Sequence, residues 1–175
     1  MRRIDKLARH ITCTFGKILI KDTTASAVIL CHRANVTIQD TVIVPEISEY
    51  FNINKTPFTF HHCYNTVIKN ITAINLPINS DKTVTSYIID VHLCYKMILD
   101  NIVATKGWGA SATHWCTDII IRNSHLGRAD FHYGTYGLNI VENCDFISYP
   151  CKIEIGYGDG TVIVRDCFFY KHVEG

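Results

Sequence analysis

Apolar residues in this chain come in short runs broken by polar ones, and the runs fall into step when the chain is stacked on itself. The segments "ILCHRANVTIQDTVIV", "FHHCYNTVIKNITAIN", "VHLCYKMILDNIVATK", "THWCTDIIIRNSHLGR", "HYGTYGLNIVENCDFIS" and "IGYGDGTVIVRDCFFY" share one plan. Each has a short apolar strand, a Cys or Gly at a bend, a second strand, an Asn or Asp, and a third apolar stretch. The Asn/Asp markers are Asp40, Asn70, Asn101, Asn123, Asn143 and Asp166. The longer early intervals hold their excess in "PEISEYFNINKTP" and "LPINSDKTV", which carry loop residues.

Three short strands per unit, in roughly six units, predict an all-β fold: a right-handed parallel β-helix. One coil cannot bury its own apolar side, whereas stacked coils bury a continuous core. The six Asn/Asp markers then stack, so that each amide can bond the next at a bend that leaves polar groups open. Residues 1–175 form one domain on this reading, with 1–27 as an N-terminal lead-in and 28–170 as the coils. The chain ends at His172-Val173-Glu174-Gly175 with no evident cap, so a piece of a longer chain stays open as an expectation. An antiparallel sandwich would need hairpin turns, and the single Asp-Gly is Asp159-Gly160. No segment has the helical period that crossover helices require.

Composition agrees with strands. Ile, Val and Thr make up 54 of 175 residues against 8 Leu. Charged residues are 19% and the formal net charge is +1, which carries no electrostatic footprint for nucleic acid. The N-terminus "MRRIDKLARHITC" has charges without the apolar run of a signal peptide, and no run approaches a membrane span. The eight cysteines contain no C-x-x-C pair. They are expected as reduced thiols, with Cys31, Cys63, Cys94 and Cys116 stacked in a tight buried corner. A zinc site from His92, His114 and Cys94 or Cys116 fits by residue type, but its spacing matches no zinc pattern. Neither a metal nor another cofactor is expected.

Candidate chemistry lies on the first strand of the coils. Stacking aligns Thr59-Phe60-His61, Asp90-Val91-His92, Ala112-Thr113-His114, Asp130-Phe131-His132 and Lys152-Ile153-Glu154. Phe60, Val91, Phe131 and Ile153 should point inward. His61, His92, His114, His132 and Glu154 should then form one exposed column, with Asp90, Asp130 and Lys152 in a second beside it. Coils roughly 4.7–4.9 Å apart would bring Asp130 and Glu154 near the roughly 5–5.5 Å of retaining glycosidases. Asp90 and Asp130, two coils apart, match the roughly 6.5–9.5 Å of inverting ones. Histidines and carboxylates so stacked shift one another's pKa, which prepares an acid or base. Arg128 and Lys152 are candidates to hold an anionic or hydroxyl-rich sugar. Trp108 and Tyr136 are candidate stacking rings for a sugar face, while Trp115 and Tyr133 are expected to fill the core. The bland alternative is that an exposed strand face is polar by default.

These residues carry a resemblance. Arg128, Asp130, His132, Gly134 and Tyr136, followed by "LNIVENC", trace Arg-x-Asp-x-His-x-Gly-x-Tyr, a strand and Asn-Cys. "KGWGASATHWCTDIIIRNSHLGR" before it and "GDGTVIVRDC" after it extend the likeness over residues 87 to 170. The pattern resembles the pectate-lyase-like β-helix superfamily, and more narrowly phage tail and tailspike β-helix proteins.

That resemblance implies a virion tail protein, assembled in the host cytoplasm, which binds a bacterial surface polysaccharide and degrades it. Hydrolysis would use Asp130 with Glu154 or Asp90, with His132 orienting the proton and Arg128 holding the sugar. A lyase would use Arg128 or Lys152 against a uronate and His132 or Tyr136 as base. A non-catalytic structural or receptor-binding coil is the alternative from another class. Ile98, Ile120, Ile140 and Ile163 fall at equivalent outward places, so a homotrimer, or contact with other tail proteins, is expected to cover them.

Overall fold

The computed structural model describes residues 18–25, 28–44, 58–74, 87–104, 109–147 and 151–170, and every element among them is a strand. The first eight strands are β1 (Ile18–Ala25), β2 (Val28–Cys31), β3 (Ala34–Ile43), β4 (Phe58–His61), β5 (Tyr64–Ala73), β6 (Tyr87–His92), β7 (Tyr95–Val103) and β8 (Gly109–His114). They are followed by β9 (Thr117–Arg122), β10 (His125–Leu126), β11 (Arg128–Tyr133) and β12 (Leu138–Glu142). The last four are β13 (Asp145–Phe146), β14 (Lys152–Tyr157), β15 (Thr161–Arg165) and β16 (Phe168–Phe169).

The chain alternates between two sheets. One has six strands in the order β14-β11-β8-β6-β4-β2. The other has ten, running β1-β3-β5-β7-β10-β13-β16, with β9, β12 and β15 continuing from β7 beside that path. All the pairings are parallel. This is an all-β arrangement compatible with a parallel β-solenoid.

Three short strands per unit predict three sheets, and among the described residues two are found. The reason lies at the Asn/Asp markers. Asp40, Asn70 and Asn101 have φ of 52°, 54° and 55°, yet β3, β5 and β7 keep their ladder bonds on both sides of them. One left-handed residue therefore bends a strand around the core without ending its pairing. In β5 the burial phase resets there: Thr66 and Ile68 face inward before Asn70, and Ile71 and Ala73 after it. Asn and Asp tolerate this conformation better than branched residues do.

The stacked amides appear as expected. Asn70 Nδ2 donates to Asp40 Oδ1 at 2.7 Å, Asn101 Nδ2 to Asn70 Oδ1 at 3.0 Å, and Asn143 Nδ2 to Asn123 Oδ1 at 2.8 Å. The row departs from this at Asn123, which donates to Asp100 instead, at 2.8 Å, and the carboxylate of Asp166 has no proton to donate to Asn143.

Inward positions of both sheets meet in one core that includes Leu30, Phe60, Val91 and Phe131 from the six-stranded sheet and Ile38, Ile68 and Leu99 from the other. Each fully buried Phe or Leu contributes about 1.5–3 kcal/mol relative to an exposed one. Ile153 also packs against this core. Its partner differs from expectation, though. Ile153 pairs with Ala129, while Phe131 pairs with Ile155, a slip of two residues that leaves the inward and outward faces unchanged.

The cysteine corner needs one correction. Cys63, Cys94 and Cys116 are buried and free, but Cys31 is exposed. Cys31 pairs with His61, one column earlier. Arg33 occupies the corner instead, as Tyr64 N bonds Arg33 O just as Tyr95 N bonds Cys63 O and Thr117 N bonds Cys94 O. The inward thiols serve the backbone: Cys94 Sγ donates to His92 O at 3.1 Å, and Cys116 Sγ to Val91 O at 3.3 Å. Cys13 lies outside the described residues.

On the outer face of the ten-stranded sheet, Ile98, Ile120, Ile140 and Ile163 pair in one row, as expected. Val67 extends it, and Val67, Ile98, Ile120, Ile140 and Leu138 line a groove of about 350 Å³.

Candidate functional site

The candidate residues lie on the outer face of the six-stranded sheet, in rows set by register. Tyr87, Gly109, Arg128 and Lys152 make the first row, and Asp90, Ser111, Asp130 and Glu154 the second. Cys31, His61, His92, His114, Tyr133 and Tyr157 make the third. Between the second and third rows β8 and β11 each have one more residue than β6. Asp90 to His92 is two steps, whereas Ser111 to His114 and Asp130 to Tyr133 are three. This irregularity corrects the expected alignment. Ser111, not Ala112, stands beside Asp130, and Tyr133, not His132, stands beside His114. Glu154 stands beside Asp130 and Lys152 beside Arg128, so Lys152 and Glu154 each sit one row from their expected places.

Asp130 is the centre of the cluster, and it is not exposed. Its side chain is 0% accessible and that of Arg128 is 6%. Alternation does send Asp130 to the outer face, but other side chains cover it there. Arg128 Nε lies 2.5 Å from Asp130 Oδ2, and the Tyr87 hydroxyl donates to the same oxygen. His132 Nε2 is 3.4 Å from that oxygen and 3.0 Å from the Tyr87 oxygen. Asp130 Oδ1 is buried without a hydrogen-bond partner among the described residues. Burial, and then the hydrogen bond to Asp130, hold the Tyr87 phenol far above its usual range, so it stays a donor.

Glu154 forms the outer edge of the cluster. Arg128 Nη2 and Lys152 Nζ each approach its Oε2 to 2.6 Å, and His132 Nδ1 lies 3.6 Å from its Oε1. The hydrogen bond from Lys152 is the largest cause that holds the Glu154 carboxyl below its usual range. Both ring nitrogens of His132 thus face acceptors. Asp130 orders Arg128, Tyr87 and His132 from below, while Lys152, Glu154 and His132 are groups a solvent molecule or ligand can reach, at 44%, 40% and 25% side-chain exposure.

Asp90, His92 and His114 form an adjoining group. His92 Nε2 contacts Asp90 Oδ2 at 2.8 Å, and the ring of His114 lies 6.3 Å from that of His132. Burial, then His92, push the His114 pKa below its usual value. Among the described residues no three of His, Cys, Asp or Glu are placed to hold a metal ion. Cys94 and Cys116 turn into the core while His92 and His114 stand on the outer face, which separates the four residues of the zinc reading.

Trp115 and Tyr133 do not fill the core. They are 49% and 45% exposed. Trp115 sits at φ 58° in the corner column of His32, His62, Leu93 and Gly134, whose left-handed backbone turns side chains outward. Its ring stacks on Tyr136 with centroids 6.2 Å apart, and the face of Trp115 lies against Gly134, where a Cβ would meet it at 2.4 Å. Tyr136 is exposed, as expected, but at this corner and apart from Asp130. Trp108 lies outside the described residues.

Tyr87 went unnoticed in the sequence, and Tyr133, expected inside, stands outward in one row with Tyr157. The signal for Tyr87 was Gly109, which stands in register between Tyr87 and Arg128 and leaves a gap for a neighbouring ring. No protein-family model matches this chain, and no curated protein or solved structure matches it.

Proposed function

We propose that this chain is a right-handed parallel β-helix of roughly six coils, of the phage tail and tailspike kind, that binds a bacterial surface polysaccharide on its six-stranded sheet. The observation that carries this reading is the run of outward rings, half-buried at the histidines and exposed at the tyrosines. His61, His92, His114, Tyr133 and Tyr157 share one row, and Trp115 and Tyr136 stack beside it. The imidazoles cover one another's faces, so the row offers sugars their ring edges and polar tips, while the exposed Tyr133, Tyr157, Trp115 and Tyr136 add apolar surface beside them.

The cluster favours a neutral glycan over an acidic one. Arg128 is held by Asp130 and Glu154, and Lys152 by Glu154. A lyase needs a cation to neutralise its uronate, so that reading is the weaker one. Cleavage by hydrolysis is a second reading, favoured by the reach of His132 and Glu154. Glu154 is then the acid or base, and Asp130 a positioning residue. In this reading homotrimer formation, or docking on other tail proteins, covers the Ile98–Ile163 row, and the protein belongs to a virion.

A glycan array with neutral and uronate-containing bacterial polysaccharides tests the proposal. Binding to neutral glycans that falls at least about tenfold in a Trp115→Ala/Tyr133→Ala double variant is expected, since each sugar packed on a ring contributes on the order of 1 kcal/mol. No binding to any glycan overturns the reading. New reducing ends on a bound glycan, lost in Glu154→Gln, mark hydrolysis. Binding without products leaves an adhesin.

A further inference from the structure

Five imidazoles gather at one corner of the six-stranded sheet. His61, His92 and His114 stack face to face, with centroids 4.7 and 4.6 Å apart and planes within 16° and 12°. His32 and His62 form a second stack beside them, at 4.5 Å and 15°. The rings sit where the backbone turns, just before or at the left-handed residues His32, His62, Leu93 and Trp115.

The groups around the stack are few. Cys31 on β2 stands opposite His61. Asp90 on β6 contacts His92 at 2.8 Å. On β11, Tyr133 lies 5.0 Å from His114 and His132 lies 6.3 Å from it, with Asp130, Tyr87 and Glu154 behind. Arg33 adds a positive charge at the corner, where it donates to His32 O at 3.2 Å. Neutral imidazoles stack well at these distances, whereas adjacent imidazolium ions repel. One Asp90 carboxylate cannot balance three charged rings. His114 Nδ1 is also buried without a partner among the described residues, so a proton placed there meets no acceptor among them.

We propose that this histidine stack is a proton-operated latch, closed at neutral pH and opened in mild acid, which frees the ends of β4, β6 and β8. His61 and His114 both sit below their usual value, first through burial and then through His92. The sign follows from that direction. The unfolded or opened state binds more protons, so the latch is fully closed above about pH 6.5 and is lost as pH falls below it.

Three backbone bonds report on the latch. His62 N bonds His92 O at 3.0 Å, Leu93 N bonds His114 O at 2.7 Å, and Trp115 N bonds Tyr133 O at 2.7 Å. Amide hydrogen exchange on the whole chain is compared at about pH 7.5 and about pH 5, corrected for intrinsic rates. The expected result is a loss of protection of about tenfold or more at these three amides in acid, with Ile98 and Leu99 in the other sheet unchanged. The variant His61→Gln/His92→Gln/His114→Gln should show no such loss. If it fails to fold, His92→Gln alone separates the outer rings and should reduce the loss at least about threefold. Equal protection at both pH values in the parent chain overturns the latch. So does an undiminished loss in the variant, or a loss spread evenly over both sheets.

Discussion

Tyr87 hydrogen-bonds Asp130 although a whole strand, β8, runs between the strands that carry them. Gly109 makes this contact feasible. It has no side chain, its φ is +92°, and a Cβ there would stand 2.9 Å from the Arg128 carbonyl oxygen. Arg128 in turn lies 5.8 Å from the centroid of the Tyr87 ring. Three residues on three strands thus seal one carboxylate from water.

Tyr87→Phe should therefore lower stability by about 1–3 kcal/mol, because a buried carboxylate loses a donor. Chemical denaturation measures it. The slope with denaturant should stay constant, since the surface exposed on unfolding hardly changes.

Asp130→Asn tests the burial of the charge. At an exposed site this substitution would alter stability by only about 0.5 kcal/mol. With Arg128 at 6% exposure beside it, a loss of about 3–5 kcal/mol is expected, as for other broken buried pairs. A thermal melt of the variant should show the drop before any glycan is added.

Asn70 separates backbone from side chain. It donates to Asp40 and accepts from Asn101 while its φ is 54°. Asn70→Gly keeps the left-handed bend and loses the two amide bonds, which together are worth about 1–3 kcal/mol. Asn70→Ala loses both features and should cost about 1–2 kcal/mol more. Equilibrium unfolding of the pair gives the difference directly.

Thiol reactivity should divide the cysteines by place. Cys31 is exposed, while Cys63, Cys94, Cys116 and Cys144 are buried. Burial pushes the Cys116 thiol up to about 11 and the Cys144 thiol up to about 12. Labelling of the native protein near neutral pH, read by mass spectrometry, should modify Cys31 first. The four buried thiols should react only with unfolding.

The periodic features of the fold were legible, since they depend only on which residues repeat. The Asn/Asp markers stood out because a bend that needs φ near 50–55° selects them in turn after turn. The inward positions Phe60, Val91 and Phe131 followed from alternation. The placement of Glu154 slipped by two residues without changing face, because strand faces repeat every second residue. The irregularity in β8 had no such protection. One extra residue between Ser111 and His114, matched by one between Asp130 and Tyr133 in β11, put Tyr133 in the histidine row and His132 out of it. The burial of Asp130 was illegible for a different reason. It depends on a ring two strands away, and a repeat read one strand at a time does not register which side chains fill a gap at Gly109.

The amide row also bears on how such a chain can change over generations. Asn70 bonds a residue 30 positions back, Asn101 one 31 back, and Asn143 one only 20 back. The bonds are alike although the lengths of chain between them are not. In the longer intervals the extra residues fall at 45–57 and 75–86, between the strands. Lengthening a connection costs little, about 0.6 kcal/mol for each doubling, whereas a one-residue shift within a strand turns its whole inner face outward. Insertions and deletions between the rows should therefore cost little stability, and those within them much. The lengths between rows can then vary while the rows themselves stay in register.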